Sequence, residues 1–323
     1  MKEAFQIIKS VADQKNYDMP KPIVKSVEPI LRADGYSLPE HCQFATTVTL
    51  DDIEMTGYGD AESPELAKAK ALSEAIERFT LFYSIKNGVR APTSNGWACH
   101  ITNEEAILAA ACELIERDVA LSSWLNLGPY LNIPESIWPK TVQEWNLSRS
   151  KSLEFSILKI FLCANENGRA ITTLLFNERG NFVSGHASAL DLDEAITSSV
   201  KECLRAAHLA LRLDYFGEVM KIHDPKSLGE YRFQPAANAL AYAYTYQLPR
   251  DIVICDADEL TVYRLWAAQR QKIEKLLNEC QIHIWNTADR KIAYLNSEKL
   301  LKIFWGRTPE NFSVLNKNPH IVG

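Results

Sequence analysis

Apolar and polar positions along the chain change period several times, and each change predicts an element. β-branched and apolar residues at strand spacing predict strands over 23–31, 44–50 and 53–58. A short amphipathic helix is expected before them, over 4–14. At Ser63-Pro64 the period becomes helical, with serine placed to cap and proline suited to the first turn. That helix is expected to run through Arg78 to Lys86, ahead of the breaker Asn87-Gly88. A second helix opens at Thr102 or Asn103, with Glu104-Glu105 favourable to the helix dipole in its first turn, and continues to about Trp124. Residues 128–139 hold three prolines and read as a linker.

Strands are then expected over 155–162, 171–176 and 182–189, followed by a third long helix over 192–213. Residues 227–247 give no assignable period. Strands are expected again at 252–255, 282–285 and 292–295, with a charged helix over 262–278 between the first two. Strand and helix alternate without short tandem repeats, so the fold class is α/β or α+β, taken as a single domain over 1–323.

The two long helices share a string. Glu74-Ala75-Ile76-Glu77-Arg78 lies in the first and Glu113-Leu114-Ile115-Glu116-Arg117 in the second. Glutamates three apart on a helix leave the same face one turn apart. Brought together, such pairs repel one another unless a cation lies between them, and a hard divalent metal is the natural one. A weaker repeat accompanies them. Gly59-Asp60-Ala61, Gly96-Trp97-Ala98 and Gly185-His186-Ala187 each precede a long helix bearing a deep glutamate, Glu74, Glu113 or Glu202. Counted from these glycines the spacing is shorter in the first unit than in the other two. Arg205 follows Glu202 by three residues.

Composition narrows what such a site can be. With 46% hydrophobic and 24% charged residues the chain is an ordinary globular one. A net charge of −6 gives no general attraction for nucleic acid or anionic membranes. The seven cysteines include no C-x-x-C pair and read as buried thiols. No run approaches a membrane span and the start lacks a signal-peptide pattern, so a cytoplasmic location is expected. The histidines form no zinc pair, and His100 and His186 read as satisfied loop residues. Neither a P-loop nor a dinucleotide fingerprint is present. The turn Ser94-Asn95-Gly96, just before a helix, is the loop suited to present N–H groups to phosphate.

These strings resemble the YcaO-domain family. Gly57-Tyr58-Gly59, Ala67 and Glu74-Ala75-Ile76-Glu77-Arg78-Phe79 are similar to its first signature. Thr93 to Ala98, Thr102, Glu104 to Ile107, Glu113 to Asp118 and Trp124 are similar to its second, and the most specific. Glu194-Ala195 and Glu202 match the third more loosely, and Asn316-Lys317-Asn318-Pro319-His320 resembles the family's ending. The resemblance implies a YcaO-like fold of mixed sheets and long helices. It also implies ATP held through magnesium, because carboxylates grip phosphate only across a metal. Glu74, Glu77, Glu113, Glu116 and Glu202 would be magnesium ligands or their support. Lys70, Arg78, Asn95, Arg117, Ser198 and Arg205 would lie toward the nucleotide.

The implied activity is ATP-dependent activation of peptide-backbone amides, giving an azoline ring with a Cys, Ser or Thr side chain or a thioamide with sulfide. The implied partners are a peptide or protein substrate and a separate leader-binding or TfuA-like protein, with a homodimer compatible. Lys70 stands where the family usually has serine, and Ser198 where glutamine is common. The chain also ends in Pro319-His320-Ile321-Val322-Gly323 rather than a proline-rich tail. A diverged, non-catalytic scaffold subunit is therefore the alternative, and a different metal-dependent reaction such as hydrolysis a third.

Overall fold

Alanine at every fourth position, Ala67, Ala71 and Ala75, gives the first long helix a face almost without side-chain bulk, and all three are fully buried. The computed structural model describes residues 14–31, 35–88, 94–150, 152–212, 242–244, 247–287 and 289–300. The described residues fall into two compact units. The first takes the described residues within 14–31, 40–114 and 271–299, the second those within 35–39, 115–270 and residue 300.

In the first unit, β2 (Ile23–Pro29), β3 (Cys42–Leu50) and β4 (Ile53–Ala61) form an antiparallel sheet in that order. Helix α1 (Pro64–Lys86) packs its alanine face on β3 and β4. Ser63 caps it, accepting the Leu66 N–H at 3.3 Å, with Pro64 in the first turn as the sequence predicts. The approach to β4 is so close that it needs glycine opposite: a Cβ on Gly57 would lie 2.1 Å from the Ala75 nitrogen. A second sheet runs β1 (Gln14–Asp18), β11 (Gln281–Asn286), β12 (Lys291–Asn296), β5 (Trp97–His100). Its aromatic side chains stack in a row, with Tyr17 on Trp285 at 5.0 Å, Trp285 on Trp97 at 4.9 Å and Trp97 on Tyr294 at 4.7 Å. Trp97, Trp285 and Tyr294 share one core with Ile76 and Phe79 of α1.

Helix α2 (Asn103–Leu125) starts in the first unit and ends in the second. Thr102 caps it, its hydroxyl accepting the Glu105 N–H at 3.2 Å and donating to the Glu105 carboxylate at 2.9 Å.

In the second unit, β10 (Ile254–Asp256), β6 (Tyr130–Asn132), β7 (Ile157–Ala164), β8 (Arg169–Phe176) and β9 (Phe182–Ala187) form one sheet in that order. Helices α3 (Lys140–Ser148), α4 (Leu192–Ala210) and α5 (Glu259–Trp266) share a core with it. Helix α4 shows why its sequence reads as amphipathic: Leu192, Ala195, Ile196, Ser199, Val200, Cys203, Leu204 and Ala207 are its buried stripe. Asp191 caps it through the Glu194 N–H at 3.0 Å.

The differences from the sequence reading are local. β1, β5 and α3 were not expected, because each is short and lies beside proline or turn residues. The expected linker at 128–139 contains β6 and a single 3-10 turn, Glu135–Ile137. The charged helix at 262–278 is two helices, α5 and α6 (Gln269–Glu279), separated at Ala267-Ala268. Of the helix expected over 4–14, residues 4–13 lie outside the described residues, and Gln14 is in β1. The segment 227–247 lies largely outside them, and the tail at 316–320 wholly so. Among the described residues no helix is long and apolar enough to cross a membrane.

Candidate functional site: carboxylates held on strand edges

Among the described residues each of three sheets ends in a strand that leads into a long helix, and a glutamate of that helix reaches back to it. Glu74 of α1 accepts the N–H of Tyr58 in β4 at 2.7 Å. Glu113 of α2 accepts the N–H of Trp97 in β5 at 3.0 Å, and on the same oxygen the N–H of Gly96 at 3.0 Å. Glu202 of α4 accepts the N–H of His186 in β9 at 2.8 Å. Donor and acceptor are sixteen residues apart in all three. The residue before each donor is a glycine: Gly57, Gly96 and Gly185. The first repeat unit therefore begins at Gly57, not at Gly59, and its spacing then equals that of the other two.

β4, β5 and β9 are the end strands of their sheets among the described residues. An end strand carries N–H groups with no neighbouring strand to bond, and a buried one left unmet is costly. The glutamates meet these groups. A charge-assisted bond of this kind is worth about 1.5–3 kcal/mol where solvent is excluded.

In the first unit Arg78 closes a second bond on Glu74, its Nη2 2.6 Å from Oε1, and its Nη1 donates to the Thr56 carbonyl at 2.8 Å. Glu77, one turn beyond Glu74, lies close enough to the N–H of Cys99 in β5 for that dipole to favour its charged form. Burial raises the Glu77 pKa well above the carboxylate range, and the Glu113 and Glu74 carboxylates raise it further against the opposing pull of Arg78 and the Cys99 N–H. Cys99 beside it is an inert thiol, pushed up to about 12 by burial and by Glu77. Asn95 is buried in the turn that leads into β5. Lys70 is exposed one turn before Glu74, and among the described residues no hydrogen bond or ion pair joins it to the carboxylates.

In the second unit Glu116 and Arg117 face one another at 3.3 Å, both largely buried. Asp118 is buried and accepts from Asn165 at 2.7 Å and Asn167 at 2.9 Å, pinning the turn between β7 and β8. Ser198 and Arg205 are half-buried on α4, a turn before and a turn after Glu202. His186 is not a loop residue: it lies in β9, buried, with Nδ1 3.1 Å from the Thr172 hydroxyl. The N–H donors Tyr58, Trp97 and His186 escaped sequence reading, because a backbone amide has no residue type. The constant sixteen-residue separation was the signal that could have found them.

The donor set suits magnesium. It is all oxygen, acidic and self-repelling at Glu77, a combination that a hard cation relieves. Among the described residues no three acidic, histidine or cysteine side chains are already closed around a cation position. Magnesium tolerates this, since it takes one or two carboxylates and fills the rest of its shell with water and phosphate.

Comparison with known proteins is consistent with this chemistry. Residues 81–279 match the sequence profile described as YcaO cyclodehydratase, ATP- and Mg2+-binding. Among solved structures, YcaO from Methanopyrus kandleri bound with AMPPCP and Mg2+ is similar at 12% identity and a TM-score of 0.52, over 84% of each chain. A heterocyclase in complex with substrate and cofactor is similar at 12% identity and a TM-score of 0.56, over 84% of this chain and 49% of that one. The E. coli microcin synthetase McbBCD complex with pro-MccB17 bound gives 12% and 0.52, over 85% and 89%. At such identities the likeness is one of fold. No curated protein sequence matches the chain.

Proposed function

The chain belongs to the YcaO family, with its mixed α/β fold, and from that membership we propose that it uses Mg-ATP to activate backbone amides of a ribosomally made peptide or protein. The observation that carries the reading is the half-buried Glu77, its pKa driven up first by burial and then by the Glu113 and Glu74 carboxylates, a charge pattern that calls for a cation. Glu74, Glu77, Glu113, Glu116 and Glu202 are the proposed magnesium ligands or their direct support. Lys70, Arg78, Asn95, Arg117, Ser198 and Arg205 are proposed for the nucleotide side. Magnesium would neutralise the triphosphate and the charge that develops on its γ-phosphoryl group.

An amide oxygen is a poor leaving group until it is phosphorylated. A nucleophile adds to the amide carbon, the oxygen takes the γ-phosphoryl group with release of ADP, and phosphate then departs with the original oxygen. With a Cys, Ser or Thr side chain the product is an azoline; with sulfide it is a thioamide. Both remain within this proposal. The chain's contribution is placement: carboxylates fixed on strand edges cost no reorganisation as charge moves. A separate leader-binding or TfuA-like protein is the proposed partner, and the reaction is placed in the cytoplasm.

Titration calorimetry with a non-hydrolysable ATP analogue tests the site. Binding is expected only with magnesium, and Glu77→Gln is expected to abolish it; metal-independent binding would overturn the reading. Intact-mass analysis of a co-expressed peptide then separates the chemistries, about 18 mass units lost per ring and about 16 gained per thioamide, since oxygen leaves as phosphate. The second reading, a scaffold that binds nucleotide without turnover, is favoured by the Arg78 bond on Glu74 and by Lys70 one turn away. It predicts binding with no mass change in the presence of substrate and partner.

A further inference from the structure

Among the described residues β5 pairs with one strand, β12. Ala98 lies opposite Ala293, and the Leu295 N–H donates to the Gly96 carbonyl at 2.8 Å. Successive N–H groups along a strand point to opposite edges. Those of Trp97 and Cys99 therefore share the edge turned away from β12. Each faces a carboxylate, and from a different helix: Trp97 donates to Glu113 of α2 at 3.0 Å, and the Cys99 N–H lies close enough to Glu77 of α1 to favour its charged form. Alternate residues of a strand are about 6.8 Å apart. The repeat of the strand thus sets the separation of two side chains that no helix spacing relates.

We propose that β5 is the positioning element of the acidic site, its edge amides at Trp97 and Cys99 holding Glu113 and Glu77 at a preset separation for one cation. Magnesium–oxygen bonds of about 2.1 Å tolerate little error in ligand placement, so a fixed pair binds better than a mobile one. The purpose assigned to the pair rests on the magnesium reading; the hold itself does not, and metal-free protein tests it alone.

The test is residue-resolved amide exchange on the full chain without metal. Trp97 and Cys99 are expected to be protected despite lying on a sheet edge. Glu77→Ala should speed exchange at Cys99 at least about tenfold and spare Trp97, and Glu113→Ala should do the reverse. The glutamine variants keep an acceptor oxygen and should keep the protection. Equal protection in both alanine variants would overturn the proposal.

A second arm reads the cation. Cys99→Pro removes the N–H on the open edge without breaking a ladder bond, a place where strands accept proline. It should raise the magnesium needed for half-maximal analogue binding about tenfold, with binding restored by excess magnesium. Cys99→Ser, which keeps the N–H, should not. Equal magnesium dependence in the two variants would sink the positioning role. Should Cys99→Pro not fold, the exchange pattern decides. Wild-type protein that shows the exchange pattern but binds no magnesium would leave the hold standing and remove the magnesium reading.

Discussion

The β4–α1 corner of the first unit and the β9–α4 corner of the second are built alike and charged differently. In each, a glycine lets helix and strand touch: a Cβ on Gly57 would meet the Ala71 carbonyl oxygen at 2.4 Å and the Ala75 nitrogen at 2.1 Å. A Cβ on Gly185 would meet the Ser199 oxygen at 2.2 Å and the Cys203 nitrogen at 2.3 Å. Both obstacles sit at the same offsets from the clamped glutamate, three before and one after. Beyond that point the corners diverge. Helix α1 adds Glu77 one turn on, whereas α4 has Arg205 there. The first glutamate of each helix is thus a fastening common to both units; the second is what creates a demand for a cation.

The largest effect expected from this difference is on magnesium. Glu77→Gln should weaken magnesium-dependent analogue binding at least about a hundredfold, the loss of a half-buried charge from the proposed ligand set. Glu202→Gln keeps its hold on His186 and should weaken binding less, by about tenfold. Calorimetry on both variants checks this, and equal losses would erase the distinction between fastening and ligand.

Next in size is packing. Gly57→Ala and Gly185→Ala each press a methyl group into helix backbone, which cannot move aside as a side chain can. Each should cost about 3 kcal/mol, the upper end for overpacking, read from denaturant midpoints. A cost near zero at either would mean the corner is looser than its counterpart.

Smaller again is a pH effect confined to the first unit. Glu77's folded pKa is raised, so its neutral form is the one the fold prefers. The stability tied to that form is fully present below the ordinary carboxylate pKa and is lost as pH rises through the raised value. Metal-free Glu77→Gln should therefore melt about 2–4 °C above wild type at pH 8 and close to it at pH 4.5. Thermal melts at both values decide it; a difference independent of pH would contradict the assignment.

These contrasts show what the residues disclosed. The helices were legible because their buried faces recur at helical spacing and their caps are explicit, as Ser63 and Asp191 are. The glutamates were legible because Glu-x-x-Glu-Arg occurs twice. β5 was not, since four residues beside a turn carry too little pattern, and with β5 went the strand edge that two of the glutamates face. The starting glycine was misplaced for a related reason: Gly57 and Gly59 both touch α1, and only the bond from Tyr58 to Glu74 shows which is equivalent to Gly185.

The smallest expected effect on stability comes from the Arg78–Glu74 pair, and it sharpens the comparison most. Arg78 is 43% exposed and Glu74 24%, so solvent screens their 2.6 Å contact, and removing it should cost only about 0.5 kcal/mol. Its charge still lies in the first unit's acidic group, where it opposes the rise in Glu77's pKa. Arg78→Met should therefore leave the melting temperature nearly unchanged while tightening magnesium binding in the absence of nucleotide about tenfold at low salt, and less as salt is added. With ATP analogue present the sign should reverse if Arg78 also meets phosphate. An arginine that changed neither quantity would be a fastening like Gly57, and the acidic group would then owe its character to glutamates alone.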